Sequence, residues 1–401
     1  MKRSGSADLP LHYGRVPPWL AQRMALLGEA IVETIILERG TGEVLRRLSD
    51  PFWFQSLGAV MGMDWHSSGI TTSVLGALRK AINPRSHELG LYVAGGKGKY
   101  SRQTPDELVR IGEKTGLDAE YLVRCSKLSA KVDNTAIQDG YQLYLHNFIV
   151  SKDGQWTVVQ QGMSDASGLA RRYHWHSSDL QSFVEEPHTA IEGQNQGLIL
   201  NMTDKGAKAS RNSVMEMSRE LPEKMLAEVR KVVMPNRHEV RAEDVDLKRL
   251  GSVLWLAHEK RPEDFEELLL LKGVGPRTLQ SLALVSEVIY GSPSRFQDPA
   301  RFSFAHGGKD GHPFPVPLKT YDETLSTLKT AIDRSKLGFT DKAAALKSLS
   351  KLTERAEKGF TPNANFDKVI EKERRDSWKY GGRTVFGKEQ KPKGGDQLKL
   401  F

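Results

Sequence analysis

The residues best suited to chemistry lie between positions 131 and 146, where a predicted helix gives way to an alternating, strand-like segment. They are Lys131, Asp133, Asp139 and His146. Carboxylate oxygens are ligands that Mg²⁺ or Mn²⁺ prefers, and a neighbouring histidine can be a ligand or activate water. We therefore expect a metal-dependent phosphodiester-hydrolysing site in which Asp133 and Asp139 bind the metal. His146 or His66 would be ligand or base, and Lys131 would stabilise charge.

The alternative is that these side chains are ordinary hydrogen-bonded groups at strand ends. Their spacing matches no defined nuclease motif. Downstream, His174 and His176 flank Trp175, a pattern more typical of a strand than of a zinc site. The metal site therefore remains one of two interpretations of the same residues.

Residues 272–278, with the sequence Lys-Gly-Val-Gly-Pro-Arg-Thr, lie between two apolar helical segments. The glycines allow a tight reversal, and the proline suits the first turn of the second helix. Free N–H groups at such a helix start can bind a phosphate, which positions a protein on DNA without reading sequence. The segment thus predicts a DNA-binding helix-hairpin-helix, although an ordinary helical corner is the alternative. Its proposed contact residues are Lys272, Gly273, Val274, Gly275, Arg277 and Thr278.

A second basic segment follows the short strand predicted at 90–94. Residues 95–102 contain three glycines among basic residues, including Lys97 and Lys99. Such a loop can contact a nucleic-acid backbone or can simply be solvated. The glycine spacing is neither a Walker loop nor a dinucleotide fingerprint, so we expect no nucleotide cofactor.

Composition limits the setting. The net charge is +8 and the pI about 9.3, which suits a polyanionic partner. The single cysteine, Cys125, excludes disulfides within the chain and Cys-rich metal sites. We find no apolar signal core at the N-terminus and no membrane-spanning segment, so we expect a cytoplasmic, nucleoid-associated protein without membrane partners.

The periodicity predicts an α+β protein. An N-terminal mixed α/β domain over 1–203 contains a β-hairpin, formed by 141–150 and 156–161, and a last strand at 198–202. An all-helical domain over 213–360 contains the helix-hairpin-helix and begins with one helix over 214–233. A basic, flexible tail over 361–401 completes the chain.

The tail ends in Gln397-Leu398-Lys399-Leu400-Phe401. This pentapeptide resembles the motif with which bacterial polymerases and repair proteins bind the sliding clamp. The resemblance implies clamp binding through Gln397, Leu398, Leu400 and Phe401, and a flexible tether would raise the local concentration on DNA. The alternative is docking of these apolar residues onto the protein's own surface.

Residues 269–290 are similar to the hairpin of the endonuclease III-like DNA glycosylases. In bifunctional members a lysine follows the second glycine by two positions, but this chain has Arg277 there, which cannot form a Schiff base. Asp298 is the candidate for the family's aspartate by distance. The resemblance implies glycosylase chemistry as an alternative to the nuclease.

Most of the chain, from Asp8–Gly14 through 64–69, 95–99 and 138–141 to 304–317, is similar to a bacterial and archaeal family numbered 763 among domains of unknown function. That resemblance implies no reaction. Our leading hypothesis is a DNA repair or replication-associated processing enzyme, with a metal-dependent nuclease favoured. A glycosylase and a non-catalytic DNA-binding adaptor are the alternatives.

Overall fold

The computed structural model describes residue 16 and residues 18–63, 68–231, 247–300, 318–335 and 337–357. The first four helices, which all lie before the first strand, are α1 (Pro18–Arg39), α2 (Thr41–Ser49), α3 (Pro51–Val60) and α4 (Gly69–Ile82). In this described part of the chain no helix is long and apolar enough to span a membrane.

One antiparallel sheet organises the described residues. Its strands follow chain order, with β1 (Leu91–Lys97), β2 (Gln142–Ser151), β3 (Trp156–Ser164), β4 (Leu169–His176) and β5 (Ala190–Glu192). Strands β2 and β3 form the β-hairpin expected from the sequence. The α+β fold class is therefore confirmed.

Further helices lie before, between and after the strands. Their bounds are α5 (Ser86–Leu89), α6 (Lys99–Arg102), α7 (Thr104–Thr115), α8 (Ala119–Lys131), α9 (Lys208–Arg219), α10 (Pro222–Lys231), α11 (Leu247–Lys260), α12 (Phe265–Leu270), α13 (Pro276–Tyr290), α14 (Leu318–Arg334) and α15 (Phe339–Glu357). A single π-helical turn, Val132–Ala136, continues α8. Short 3₁₀ turns cover Asn83–Arg85, Ser177–Asp179 and Lys205–Ala207.

Each face of the sheet supports a separate hydrophobic core, because successive strand residues point to opposite faces. Val93, Leu145 and Val159 face a core built with α1 to α4, α14 and α15. Phe148 and Trp156 face a second core that includes α8, α9 and α11 to α13. Strand β4 consequently divides its polar residues between the two cores.

Capping residues explain several helix starts. The Asp50 and Asp118 carboxylates accept hydrogen bonds from the backbone N–H groups of Trp53 and Tyr121, both at 2.9 Å, and Asp264 accepts one from Glu267 at 2.8 Å. Such caps satisfy donors that have no partner within the helix. Pro51 follows the Asp50 cap in the first turn of α3, where its missing N–H is not needed.

Three sequence expectations need correction. The last strand of the sheet is β5, whereas 198–202 contributes only isolated bridges, Ile137 with Asn201 and Leu200 with Phe296. The helix expected over 214–233 is divided, because Pro222 lacks an N–H and begins α10 after α9 has ended at Arg219. Strand β1 continues through two glycines to Lys97, beyond the predicted 90–94.

The described contacts also connect distant parts of the sequence. Helix α14 packs on α1, and α15 packs on α3, so helices from the predicted C-terminal domain complete the core of the predicted N-terminal one. The boundaries at 203 and 213 stay predictions.

Candidate nucleic-acid interface and buried polar network

Helices α12 and α13 are joined by a tight turn over residues 271–275. Gly273 has φ +93°, a conformation that side-chain-bearing residues rarely adopt, and a Cβ there would lie 3.3 Å from Val253 Cγ2. Val274 is buried and its N–H donates to the Leu271 carbonyl at 3.2 Å. The positive φ of Gly273 and the buried Val274 side chain thus hold the two helices of the hairpin together.

The first turn of α13 presents backbone donors. Leu279 N–H makes the first helical hydrogen bond, to the Gly275 carbonyl at 2.9 Å, so the N–H groups of Arg277 and Thr278 precede the helical ladder. Gly275 supplies no capping side chain. Lys272 and Arg277 are exposed beside this turn. An anion at this position would meet N–H groups, the positive end of the helix dipole and two cations.

The Thr278 hydroxyl lies on the inner side of the hairpin turn. The Thr278 side chain is buried, and its hydroxyl donates to the Gly273 carbonyl at 3.3 Å. The hydroxyl therefore stabilises the turn from inside, and the Thr278 backbone N–H is the group available to an anion.

Two residues from the region of the predicted active site hold the hairpin in place. Lys131 Nζ donates to the Val274 carbonyl at 2.6 Å, and Gln138 Nε2 donates to the Pro276 carbonyl at 2.7 Å. Burial lowers the pKa of Lys131. No local sequence pattern indicates these contacts, because more than 130 positions separate the partners. Lys131 thus lies at the hairpin turn.

Asp133 lies in the interior between the sheet and the π-helical turn. Its Oδ2 accepts hydrogen bonds from Gln160 Nε2 at 2.5 Å and Trp175 Nε1 at 3.0 Å, and His188 Nε2 contacts its Oδ1. Burial raises the pKa of Asp133, and the neighbouring His188 opposes that rise. Both oxygens are therefore already engaged by protein groups.

His146 is joined to Asp133 through Gln160. Because Gln160 donates its amide to Asp133, its Oε1 must accept from His146 Nδ1, at 2.7 Å. His146 Nε2 is then left to accept from the Ser126 hydroxyl at 2.8 Å. Burial lowers the pKa of His146 to about 4. The imidazole is neutral at pH 7, with its proton on Nδ1.

Asp139 belongs to a different cluster, with Arg171 and Asp298. Arg171 Nη1 donates to Asp139 Oδ2 at 2.8 Å and to Asp298 Oδ1 at 3.0 Å, and its Nη2 donates to Asp298 Oδ2 at 2.6 Å. Tyr173 Oη and Tyr141 N–H also donate to Asp139, at 2.7 and 3.0 Å. Burial alone would lower the pKa of Arg171, but the two carboxylates raise it above its usual range.

Asp298 is equally saturated. Besides Arg171 it accepts from the backbone N–H groups of Gln196 at 2.6 Å and Ala300 at 2.8 Å. Its side chain has no measurable exposure. A role as the aspartate of a glycosylase would require solvent-accessible oxygens, and these contacts leave none.

The two aspartates predicted as metal ligands thus lie in separate hydrogen-bonded clusters. A metal ion at Asp133 or Asp139 would have to displace amide, indole, hydroxyl or guanidinium donors that already neutralise the carboxylate. Among the residues that the structure describes, no three His, Cys, Asp or Glu side chains are grouped to hold a metal ion. The donor sets therefore suit buried structural groups better than Mg²⁺ or Mn²⁺. The metal site stays a prediction.

The other face of β4 carries its own buried ion pair. Arg172 contacts Glu192 directly and donates to Gln55 Oε1 at 2.9 Å and His174 Nε2 at 3.0 Å. Burial raises the pKa of Glu192 to about 7 and lowers that of His174 well below its usual value. The alternation of β4 was the sequence signal for this division, since Arg171 and Arg172 must face opposite cores.

The basic segment after Ala94 is ordered as a strand end and one helical turn. Lys97 closes β1 opposite Leu145, and Lys99 begins α6. Both side chains are exposed. Gly98, with φ +61°, lies between them and donates its N–H to the Tyr144 carbonyl at 2.8 Å. Lys97 and Lys99 therefore project from a hydrogen-bonded strand end.

The comparison with known protein families gives one result. A family model described as Protein of unknown function (DUF763) matches residues 5–316, more than half of the chain. The chain belongs to this family. No curated protein and no solved structure matches it.

The DUF763 match includes the whole sheet, the buried polar clusters on its two faces, the strand end at Lys97 and the hairpin α12–α13. Helices α14 and α15 lie beyond it. His66 and the proposed clamp-binding residues Gln397, Leu398, Leu400 and Phe401 lie outside the described residues. Those predictions are carried by the sequence alone.

Proposed function

We propose that this DUF763 protein binds the sugar–phosphate backbone of DNA through the hairpin α12–α13 and acts in DNA repair or replication. The observation that carries the proposal is the first turn of α13, where the N–H groups of Arg277 and Thr278 precede the helical ladder. Lys272 and Arg277 flank these donors. Backbone donors and two cations around a turn that contains two glycines suit a phosphate better than they suit a packing corner.

The supports of the hairpin strengthen this interpretation. Lys131 and Gln138 bind the carbonyls of Val274 and Pro276, so the turn is held from the protein side while Lys272 and Arg277 face solvent. The Lys131 ammonium adds a positive charge directly behind the turn. A preorganised donor set loses less conformational entropy when an anion binds.

Of the three roles considered for the protein, the geometry favours a DNA-binding adaptor. The nuclease and glycosylase hypotheses rest on Asp133, Asp139 and Asp298, whose oxygens accept hydrogen bonds from buried protein donors. Recruitment by the sliding clamp through Gln397, Leu398, Leu400 and Phe401 completes the proposed role. The pentapeptide resemblance supports that part.

The decisive experiment compares Gly275→Asp with Gly275→Asn in the full-length protein. Gly275 has φ −127°, an extended conformation that both residues adopt, so the pair differs mainly in charge at the anion site. Titrations of a labelled DNA duplex, followed by fluorescence anisotropy, should give an affinity at least about 10-fold lower for the Asp variant than for the Asn variant. Equal affinities in two folded variants would remove the hairpin proposal.

The reaction is tested separately. Duplex, branched and base-damaged DNA are incubated with the protein in Mn²⁺ and in EDTA, and we expect the strands to remain intact in both. Cleavage that requires Mn²⁺ and disappears in Asp139→Asn would restore the nuclease hypothesis. Base removal in EDTA that disappears in Asp298→Asn would instead support the glycosylase.

A further inference from the structure

The end of strand β1 and helix α6 carry a second arrangement suited to nucleic acid, and it differs in kind from the hairpin. Here cations are interleaved with aromatic rings. Lys97 Nζ lies 5.5 Å from the ring centroid of Tyr144, and Lys99 Nζ lies 5.4 Å from that of Tyr100. Tyr100 is 48% exposed. Exposed aromatic rings beside lysines are the groups on which unpaired bases stack while the backbone is neutralised.

The strand end is rigidly held. Gly95 N–H donates to Glu107 Oε2 at 2.7 Å, Arg79 Nη2 donates to Glu107 Oε1 at 2.6 Å, and Arg79 also binds the Gly95 carbonyl. The Arg79 guanidinium carbon lies 5.7 Å from the Tyr100 ring centroid. The strand end is therefore fixed beneath the tyrosine before any ligand arrives, which lowers the entropic cost of binding.

Two glycines bring the backbone and the tyrosine together. A Cβ on Gly96 would lie 3.1 Å from Tyr100 Cβ, and φ at Gly96 is +146°. A Cβ on Gly98, where φ is +61°, would meet no atom within 4 Å, so the backbone there faces open space. A side chain at Gly96 would push Tyr100 away, while the open backbone at Gly98 leaves room for a strand to approach.

The positive charges of this surface have no acidic partners in the described part of the chain. No carboxylate there forms an ion pair with Lys97, Lys99 or Arg102, and all three side chains are exposed. Glu107, which accepts a hydrogen bond from the Gly95 N–H, is already bound to Arg79. A polyanion would therefore meet three exposed cations around one exposed tyrosine.

The strand end and the hairpin lie toward the same end of the sheet. Lys97 pairs with Leu145 near the start of β2, and Gln138, which precedes β2, binds the hairpin at Pro276. The chain from 138 to 145 spans at most about 25 Å, and the strand pairing adds about 5 Å. Lys97 thus lies within about 30 Å of Gln138, which supports the hairpin. A DNA strand of about nine nucleotides covers this distance.

We propose that the strand end formed by Lys97, Lys99, Tyr100 and Arg102 binds an unpaired DNA strand. The preference for a junction also rests on the proposed duplex binding by the hairpin. A DNA with a duplex next to a single-stranded overhang would contact the hairpin and the strand end at once. The protein should then bind such a junction more tightly than a blunt duplex or a single strand, because the second contact is intramolecular.

The test uses the full-length protein and three labelled DNAs: a blunt duplex, the same duplex with an overhang of about ten nucleotides, and oligo(dT) of the overhang's length. We expect the junction to bind at least about 10-fold more tightly than the blunt duplex. Tyr100→Ala should lower junction affinity by about 5- to 150-fold, the range for one stacked base, and leave blunt-duplex affinity unchanged. The double variant Lys97→Ala/Lys99→Ala should lower junction and oligo(dT) binding and flatten their salt dependence.

Matched controls lie at the opposite end of the sheet. Tyr121 is 50% exposed, nearly the same as Tyr100, and Lys152 is exposed in the turn after β2. Tyr121→Ala and Lys152→Ala should leave the preference for the junction intact. A junction that binds no more tightly than the blunt duplex, or a Tyr100→Ala variant that weakens both DNAs equally, would overturn the strand site.

The hairpin proposal can fail independently of this one. If Gly275→Asp leaves blunt-duplex binding unchanged while Tyr100→Ala still weakens oligo(dT), the strand site stands and the hairpin does not. If Gly275→Asp weakens the duplex but Tyr100→Ala changes nothing, the reverse holds.

Discussion

The two buried carboxylate clusters, together called the network below, and the hairpin turn differ in how their polar groups are paired. In the interior, Asp133, Asp139 and Asp298 each accept several hydrogen bonds from protein donors. At the hairpin, the backbone N–H groups of Arg277 and Thr278 lie before the first helical hydrogen bond of α13, and no side chain caps that helix start. Groups that satisfy one another stabilise a fold, whereas donors left without acceptors at a surface are available to a ligand.

This contrast separates two kinds of mutation. A change in the network should alter the free energy of unfolding and leave DNA affinity unchanged in the folded protein. A change at the hairpin should do the reverse. Residue type alone does not make this distinction, because aspartate and histidine occur both in active sites and in buried hydrogen-bonded clusters.

The largest effect is expected from Asp298→Ala. The substitution removes both oxygens that bind Arg171 Nη1 and Nη2 and leaves a buried guanidinium with a single carboxylate partner. Loss of one partner of a buried ion pair costs about 3–5 kcal/mol. Urea denaturation should show this decrease in the free energy of unfolding.

The control for that measurement is Asp165→Ala, in the exposed turn between β3 and β4. It should change the free energy of unfolding by less than about 0.5 kcal/mol. An Asp298→Ala variant as stable as the wild type would break the comparison, because the network would then not contribute to stability.

His146 should produce the next largest effect, as a dependence of stability on pH. Its pKa falls from 6.5 to about 4 on folding because burial penalises the charged form. Between these values the unfolded chain binds the proton and the native state does not, so stability decreases as pH falls from about 6.5 to about 4. The decrease amounts to about 3.5 kcal/mol at about 1.4 kcal/mol per pKa unit.

Comparison with His146→Gln isolates this contribution, since glutamine cannot be protonated while other groups titrate in both proteins. The difference in unfolding free energy between wild type and variant should change as pH falls from about 6.5 to about 4 and be constant above about pH 7. Parallel pH profiles would mean that His146 is accessible to protons in the native state, which is the behaviour of an active-site base.

Much of the architecture follows from local sequence rules, and the network does not. Asp50 and Asp118 indicate helix starts, Gly273 indicates a reversal, and the alternation of β2 and β3 indicates the β-hairpin, because each signal acts over a few residues. Helix α14 packs against α1, and Arg334 binds Glu38 across a sequence separation of 296 positions. No local pattern encodes such a partner.

The absence of a local signal for distant partners also explains why the sequence did not indicate the surroundings of the candidate metal ligands. The residue types at Asp133, Asp139 and His146 indicated metal chemistry. Their actual partners, Gln160 and Arg171, come from strands β3 and β4. Whether a carboxylate is free or saturated depends on these tertiary contacts. The hairpin was accessible to sequence reasoning because its donors come from the backbone of one short segment.

Lys131 connects the two regions and should give the smallest effect on stability. Its ammonium donates to the Val274 carbonyl at 2.6 Å from the end of α8, two residues before Asp133 in the network. In Lys131→Met the apolar stem is kept and the charge-assisted hydrogen bond is lost, which costs about 1–2 kcal/mol for a partly exposed donor. Lys131→Arg is the matched variant, because it retains charge and donors.

If the network and the hairpin are energetically separate, Lys131→Met should weaken DNA binding by about 3- to 10-fold. Its free energy of unfolding should fall by no more than about 1–2 kcal/mol. The cause would be loss of positive charge and of support behind the turn, since the exposed Lys272 and Arg277 are unchanged. Lys131→Arg should recover most of the affinity. If Lys131→Met instead lowers the free energy of unfolding as much as Asp298→Ala is expected to, the hairpin is part of the structural core. Its surface donors and the buried carboxylates would then belong to the same cooperative unit.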